Sequence, residues 1–145
     1  MLSDGDLIRN LIGTYCERID AADHAGVGAL FGEDGVVATE DGTVLARGAA
    51  EIAAFFSGLV KLHDGRQRTT HLTTNVVLSE EADGSVTARS TYLVLQATDA
   101  PPLQPIITGR YVDRFAPDGD GGWSWIERRY STELVGHLSE HLGQL

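Results

Sequence analysis

From Leu7 onward the apolar positions recur at three- and four-residue steps: Leu7, Ile8, Leu11, Ile12, Tyr15, Cys16 and Ile19. That period gathers them on one stripe of an α-helix, and Ser3 or Asp4 stands where an N-terminal cap is wanted. "DAADHAGVGALF" then reads as a break and a short second helix, weakened by two glycines, with Val27, Leu30 and Phe31 directed inward. "GVVAT" and "TVLARG", joined by "EDG", read as a hairpin whose Asp-Gly pair supplies the positive φ angles of a tight turn. A third helix over "AAEIAAFFSGLVKL" carries Ile52, Phe55, Phe56, Leu59 and Val60 on one stripe.

Beyond it the period shortens to two. Stretches 68 to 79, 85 to 98, 105 to 115 and 123 to 132 read as strands. Their connectors, "EEADG", "DAPPLQP" and "APDGDGG", are rich in turn-forming residues, so antiparallel pairing is expected. The tail from Glu133 onward is expected to form a short helix. Helices first and strands afterwards argue for an α+β fold, with residues 1–145 as one domain. A curved, mostly antiparallel sheet would wrap around the helices and leave a pocket between the two layers.

Composition narrows the partners. A chain of 145 residues can bury about 70% of its unfolded surface. Its 21 acidic residues against 11 Lys plus Arg give a formal charge of −10, which repels phosphate backbones, so no nucleic-acid partner is expected. No apolar run approaches the roughly 20 residues of a membrane span, and the first ten residues lack a basic segment followed by an apolar one. A soluble, cytoplasmic protein is expected. The single cysteine, Cys16, excludes an internal disulfide and sits at core spacing.

The candidate chemistry begins in "RTTHLTTNVVLSEEADG". Strand alternation puts Thr69, His71, Thr73 and Asn75 on one face and Leu72, Val76 and Leu78 mainly on the other. A polar row of this kind faces either water or a cavity. On the first helix the row Ile8, Ile12, Cys16 continues to Asp20, about 40° past the apolar margin, so the carboxylate can turn inward or outward. Tyr15 lies near the centre of the stripe, and its hydroxyl must find a partner once buried. A carboxylate that accepts one ring N–H of a histidine fixes the tautomer and raises the basicity of the other nitrogen. Such a general base contributes typically about 10²–10⁴-fold in rate.

Other polar residues have plainer readings. Glu133, His137 and His141 have the spacing of metal ligands on a helix, but on a short terminal helix a solvated face is expected, and no metal is assigned. His24 and His63 stand in polar loop sequence. Arg110 and Asp113 fall on opposite strand faces, so one of them faces solvent and the other faces inward. Tyr92 and Tyr111 either line the cavity or fill it.

Together, Tyr15 and Asp20 with "ALFGEDG", "GAAEI", "THLTTN", "ARSTY", "GRYVDRF" and "GGWSWIERR" resemble the SnoaL-like branch of the nuclear-transport-factor-2-like superfamily, over nearly the whole chain. The resemblance implies a cone: a strongly bent mixed sheet around three helices with a central ligand cavity. It implies activities like those of polyketide cyclases, scytalone dehydratase and bile-acid dehydratase, which need no cofactor. Asp20 and His71 match the dehydratases' Asp–His pair, and Tyr15 matches a tyrosine of the bile-acid dehydratase pattern. Arg128 corresponds to the arginine near the end of the family's last strand, although the inserted Trp125 leaves Arg129 open. Ketosteroid isomerase has its base carboxylate where this chain has Thr39, and its oxyanion-binding acid near Tyr111. Limonene epoxide hydrolase's Asp-Arg-Asp network is met only in part by Arg110 and Asp113. The dehydratases' second polar group falls near Val94 to Gln96, with no titratable match here.

The resulting expectation is an acid/base enzyme of dehydratase, isomerase or cyclase type acting on an apolar cyclic or polyketide-like molecule. His71 is the expected base, Asp20 its partner and Tyr15 an oxygen donor, with Arg128, Asn75, Phe55, Tyr92, Tyr111 and Trp125 around the substrate. The alternatives are a binding or accessory protein with the same cavity and a supporting subunit of an oxygenase. A homodimer or homotrimer is expected from the resemblance.

Overall fold

The structure, a computed structural model, describes residues 1–143. Helix α1 (Asp4–Asp20) begins at a capping box: the Ser3 hydroxyl accepts from the Asp6 N–H, and the Asp6 carboxylate accepts from the Ser3 N–H. It ends where Ala22 takes a left-handed φ of 58° and turns the chain into α2 (His24–Gly28), capped by Asp23. Strand β1 (Phe31–Thr39) is longer than expected and pairs with β2 (Val44–Arg47); at their turn Gly42 alone takes a positive φ, 91°, and Asp41 does not. Helix α3 (Gly48–Leu59) follows, and then β3 (Thr69–Glu80), β4 (Val86–Gln96), β5 (Gln104–Pro117) and β6 (Trp123–Val135).

The six strands form one curved sheet in the order β2-β1-β6-β5-β4-β3, antiparallel throughout except for the β1–β6 pair. Ile8, Ile12, Tyr15 and Ile19 of α1 and Ile52 and Phe56 of α3 pack into its concave face. This is the expected α+β cone around three helices. Among the described residues no helix is long and apolar enough to cross a membrane.

Bulges decide which residues face inward. On β3 an extra residue separates Thr74, opposite Thr91, from Val77, opposite Arg89. Asn75 sits in it with φ of 55° and is exposed. An extra residue shifts the phase by one, because side chains alternate with period two. Thr69, His71 and Thr73 therefore share the inward face with Val76 and Leu78, while Leu72 points out. The single alternation expected across 69–78 is wrong at this point. On β6 a second bulge falls between the pairs Arg114–Glu127 and Phe115–Trp125, so Trp125 and Arg128 both face inward and Arg129 faces out.

Among the described residues, 133–143, the expected C-terminal helix is absent; its last two positions, 144–145, lie outside them. Residues Glu133–Val135 belong to β6, where Leu134 and Val135 pair with Thr108 and Ile107. The chain then folds back in a turn: the Lys61 N–H donates to the His141 carbonyl (2.7 Å) and the Gly143 N–H to that of Leu59 (3.0 Å). This segment closes over the end of α3.

Candidate active site

A cavity of about 310 Å³ opens between the helices and the concave sheet. Phe55 and Phe56 of α3, Val94 of β4, Ile107 of β5 and Ile19 of α1 make it predominantly apolar. Into it reach His71, Tyr15, Tyr92, Tyr111 and Arg128, with His141 from the C-terminal turn. Arg128, Tyr130 and Thr132 arrive together because they are alternate residues of β6 beyond its bulge.

His71 and Asp20 are brought together from opposite layers. Asp20 is the last residue of α1, and its Oδ1 lies 2.6 Å from His71 Nδ1. The same carboxylate accepts from the His71 backbone N–H (2.9 Å) and from the Thr69 hydroxyl (2.9 Å). Gln67 Nε2 donates to Thr69 Oγ1 (3.4 Å), and Gln67 Oε1 lies 3.0 Å from His24 Nε2. Read as one chain of donors, these contacts run from His24 through Gln67 and Thr69 into Asp20. A carboxylate that receives every bond can only accept, so the ring proton of His71 belongs on Nδ1 and its Nε2 carries a free lone pair. His24 is thus a buried network member, contrary to the loop reading.

The opposite wall is built differently. Asp113 and Arg128 are fully buried and paired through two bonds, Nε–Oδ1 at 2.8 Å and Nη2–Oδ2 at 3.0 Å. Trp125 Nε1 donates to the same carboxylate (3.2 Å). Burial pushes the Asp113 carboxyl above its ordinary value, while the charge and N–H groups of Arg128 pull it down; with three donors directed into it, the pair is ionic. The guanidinium lies 3.4 Å from the Tyr111 ring centroid and 4.4 Å from that of Tyr15, a stacking that suits its planar charge. Burial holds the Tyr15 phenol at about 12 despite Arg128, so it stays a donor. Tyr111 is likewise pushed up, and its ring stacks on Tyr92 at 4.5 Å. The Tyr92 hydroxyl donates to the Ser131 carbonyl (2.9 Å). Gly109 makes room for it, since a Cβ there would overlap both the Tyr92 ring and the Ser131 carbonyl.

Of the expected site residues, Tyr15, His71, Phe55, Tyr92, Tyr111 and Arg128 line the cavity, and Asp20 stands behind His71. Two do not. Asn75 is exposed because the β3 bulge turns it out. Trp125 packs in the core, stacked on Phe31 at 4.9 Å, and supports Asp113 instead of touching the cavity. The choice between the two arginines falls to Arg128, as Arg129 is half-exposed and pairs with Glu127.

Of Arg110 and Asp113, expected on opposite faces, Asp113 is the inward one, on the face of Tyr111 and Phe115, and Arg110 is exposed. Gln67 and His141 gave no periodic signal. His141 does not sit with Glu133 and His137 on a helix, and among the described residues no three metal-binding side chains converge.

No curated protein sequence matches the chain. Among solved structures, ActVI-ORFA from Streptomyces coelicolor is similar at 23% identity, covering 88% of this chain and 96% of its own, with a TM-score of 0.72. Rv3472, a Mycobacterium tuberculosis protein of unknown function solved as a variant, is 28% identical, with 89% and 71% covered and a TM-score of 0.71. A protein from Novosphingobium aromaticivorans provisionally named a scytalone dehydratase is 21% identical, with 90% and 85% covered and a TM-score of 0.70. Residues 1–129 match the SnoaL-like domain, and the chain belongs to that family.

Proposed function

We infer that the protein is an acid/base enzyme that removes a proton from a carbon next to a carbonyl group in a small apolar ring compound. The observation that carries this reading is the His71–Asp20 contact of 2.6 Å at the wall of an apolar cavity. His71 Nε2 takes the proton, and the electron pair left on carbon spreads into the carbonyl. The Tyr15 hydroxyl donates to the resulting oxyanion, with the Arg128 charge behind it. Asp20 is a positioning residue, since it holds the ring and its tautomer without touching substrate.

From the enolate, three outcomes need no cofactor. If a hydroxyl lies β to the carbonyl, His71 returns its proton to that oxygen and water leaves, which is dehydration. Return of the proton to a different carbon is isomerisation. Attack of the carbanion on a second carbonyl, with the proton passed to the new alkoxide, is cyclisation.

Size limits the substrate. An apolar cavity of roughly 150 Å³ holds one benzene ring, so about 310 Å³ suits a compound of two fused rings. 2-Tetralone, a two-ring ketone with an acidic benzylic C–H, is a suitable probe. In D2O the protein should speed exchange of that hydrogen, followed by proton NMR, and His71→Ala should lower the rate about 10²–10⁴-fold. Exchange that survives in folded His71→Ala overturns the base assignment. Binding of the probe with no exchange in the wild type favours a binding or accessory protein instead.

The proposed assembly is a homodimer or homotrimer through the outer face of the sheet. Exposed Leu72, Val77, Val112 and Ile126 support it, and sedimentation measures it.

A further inference from the structure

The strand position beside His71 is apolar. Val94 faces it across the β3–β4 ladder, so the sheet supplies no second polar group there. The chain reaches the same place from another direction. His141 is 7% exposed, lines the cavity, and sets its ring edge-on to that of His71 with centroids 5.9 Å apart. It lies beyond residues 1–129, the stretch that matches the family, so the family pattern does not account for it.

The fold holds this ring by its backbone. The His141 carbonyl accepts from the Lys61 N–H (2.7 Å), and Leu142 bridges Val60. The neighbouring Glu140 carbonyl accepts from buried Gln96 (3.0 Å) and lies 2.7 Å from His63 Nε2. Gln96 Nε2 also donates to the Gln67 carbonyl (3.0 Å), and the Gln67 side chain belongs to the network that ends on Asp20. One set of buried amides therefore positions both imidazoles.

The protonation of His141 follows from its surroundings. Its Nδ1 is enclosed with no hydrogen-bond partner. A buried N–H left without an acceptor is the rarer and costlier defect, whereas a bare lone pair is better tolerated. The proton therefore belongs on Nε2. Burial, and next the neighbouring His71 ring, lower the pKa to about 4, which keeps the His141 ring neutral. A neutral imidazole of this kind can polarise a carbonyl without itself losing a proton.

We propose that His141 is a further catalytic residue of the cavity, a neutral donor whose Nε2–H joins the Tyr15 hydroxyl on the oxygen of the carbonyl next to the carbon that His71 deprotonates. The two rings then form an acceptor–donor pair matched to an H–C–C=O unit, which restricts the substrate class to enolisable ketones, aldehydes and thioesters. The proposal rests on the acid/base reading given above, and its test separates the two.

The test uses 2-tetralone labelled with carbon-13 at the carbonyl, bound to the full chain. In the wild type the bound carbonyl resonance should move downfield of its value in an apolar solvent, as hydrogen bonding to the oxygen requires. His141→Phe, which keeps the ring shape and removes one donor while Tyr15 remains, should reduce that displacement and slow deuterium exchange about 10- to 100-fold, within the range of lost acid–base and oxyanion contacts. His141→Gln, which restores an N–H, should recover part of both. A bound carbonyl with no displacement in the wild type, or equal displacement and exchange in His141→Phe, overturns the proposal while leaving the His71 assignment standing. Loss of exchange in His141→Phe without recovery in His141→Gln and with an unchanged resonance also overturns it, because a packing defect would do the same. If His71→Ala exchanges like the wild type, the acid/base reading itself is overturned, and the carbonyl resonance still reports on His141.

Discussion

Two carboxylates, one paired with an arginine and one with a neutral histidine, stand at the wall of the same cavity, and the pairs differ in what their geometry leaves over. Asp113 and Arg128 have side chains 0% and 1% exposed, joined by two bonds and braced by Trp125. Asp20 and His71 are 23% and 10% exposed and joined through one ring nitrogen. The first pair directs its carboxylate entirely to internal donors and presses its cation against aromatic faces. The second keeps one lone pair unassigned. Burial and two-point pairing fix a structure, even though Arg128 Nη1 finds no partner, whereas a base needs a lone pair to spare, held rigidly from behind. The Gln67–Thr69 relay supplies that rigidity without occupying His71 Nε2.

The largest expected effect separates the two pairs directly. Asp113→Asn leaves a buried guanidinium without its counter-charge and should lower stability by about 3–5 kcal/mol in chemical denaturation. Asp20→Asn keeps an acceptor for Thr69 and should cost about 1 kcal/mol. Turnover should show the reverse order, with Asp20→Asn slowing exchange at least ~100-fold. Equal stability losses in the two variants would erase the distinction.

The next effect concerns pH. His141 has an ordinary value of 6.5 and a folded value of about 4, lowered by burial first and by His71 second, with Asp20 opposing. Between these values the unfolded chain binds a proton that the folded chain does not. Stability is therefore undiminished above pH 6.5 and falls as the pH drops towards 4. The difference reaches at most about 3 kcal/mol. His141→Phe should lose this part of the acid sensitivity, as read by denaturation midpoints across the window.

Smaller effects sharpen the picture of the walls. Gly109→Ala should cost about 1–3 kcal/mol by overpacking and should weaken probe binding, because Tyr92 must leave its stack on Tyr111. Arg129→Gln, on the solvent side of β6, should change stability by no more than about 0.5 kcal/mol. A large loss there would mean that the β6 bulge places the wrong arginine inside.

The helices were legible because a long apolar period and a Ser-to-Asp cap are local signals, as in α1 from Ser3 to Ile19. The residues alone offered the Asp20–His71 meeting as one alternative and the family resemblance singled it out, since nothing local ties the end of α1 to β3. The misplaced face at Asn75 and the open choice between Arg128 and Arg129 share a cause. An extra residue at Asn75 or between Trp125 and Arg128 leaves the composition of a strand unchanged while inverting the face that follows. Asn75 did carry a hint, because asparagine tolerates the left-handed region better than most residues. His141 carried none: its place depends on backbone pairing with Leu59 and Lys61 at the end of α3, which involves no side-chain pattern. The tail extended β6 because Thr132, Leu134 and Val135 found partners on β5.

The central claim is that the Asp20 contact leaves a free lone pair on His71 Nε2 inside the cavity. Nitrogen-15 NMR of the histidine side chains, at mildly alkaline pH and with His71 assigned by substitution, measures this directly. The account predicts a protonated Nδ1 and a bare Nε2 on His71 in the wild type, and a mixture of tautomers in Asp20→Asn. A proton found on Nε2 of wild-type His71, with Nδ1 bare, would contradict it.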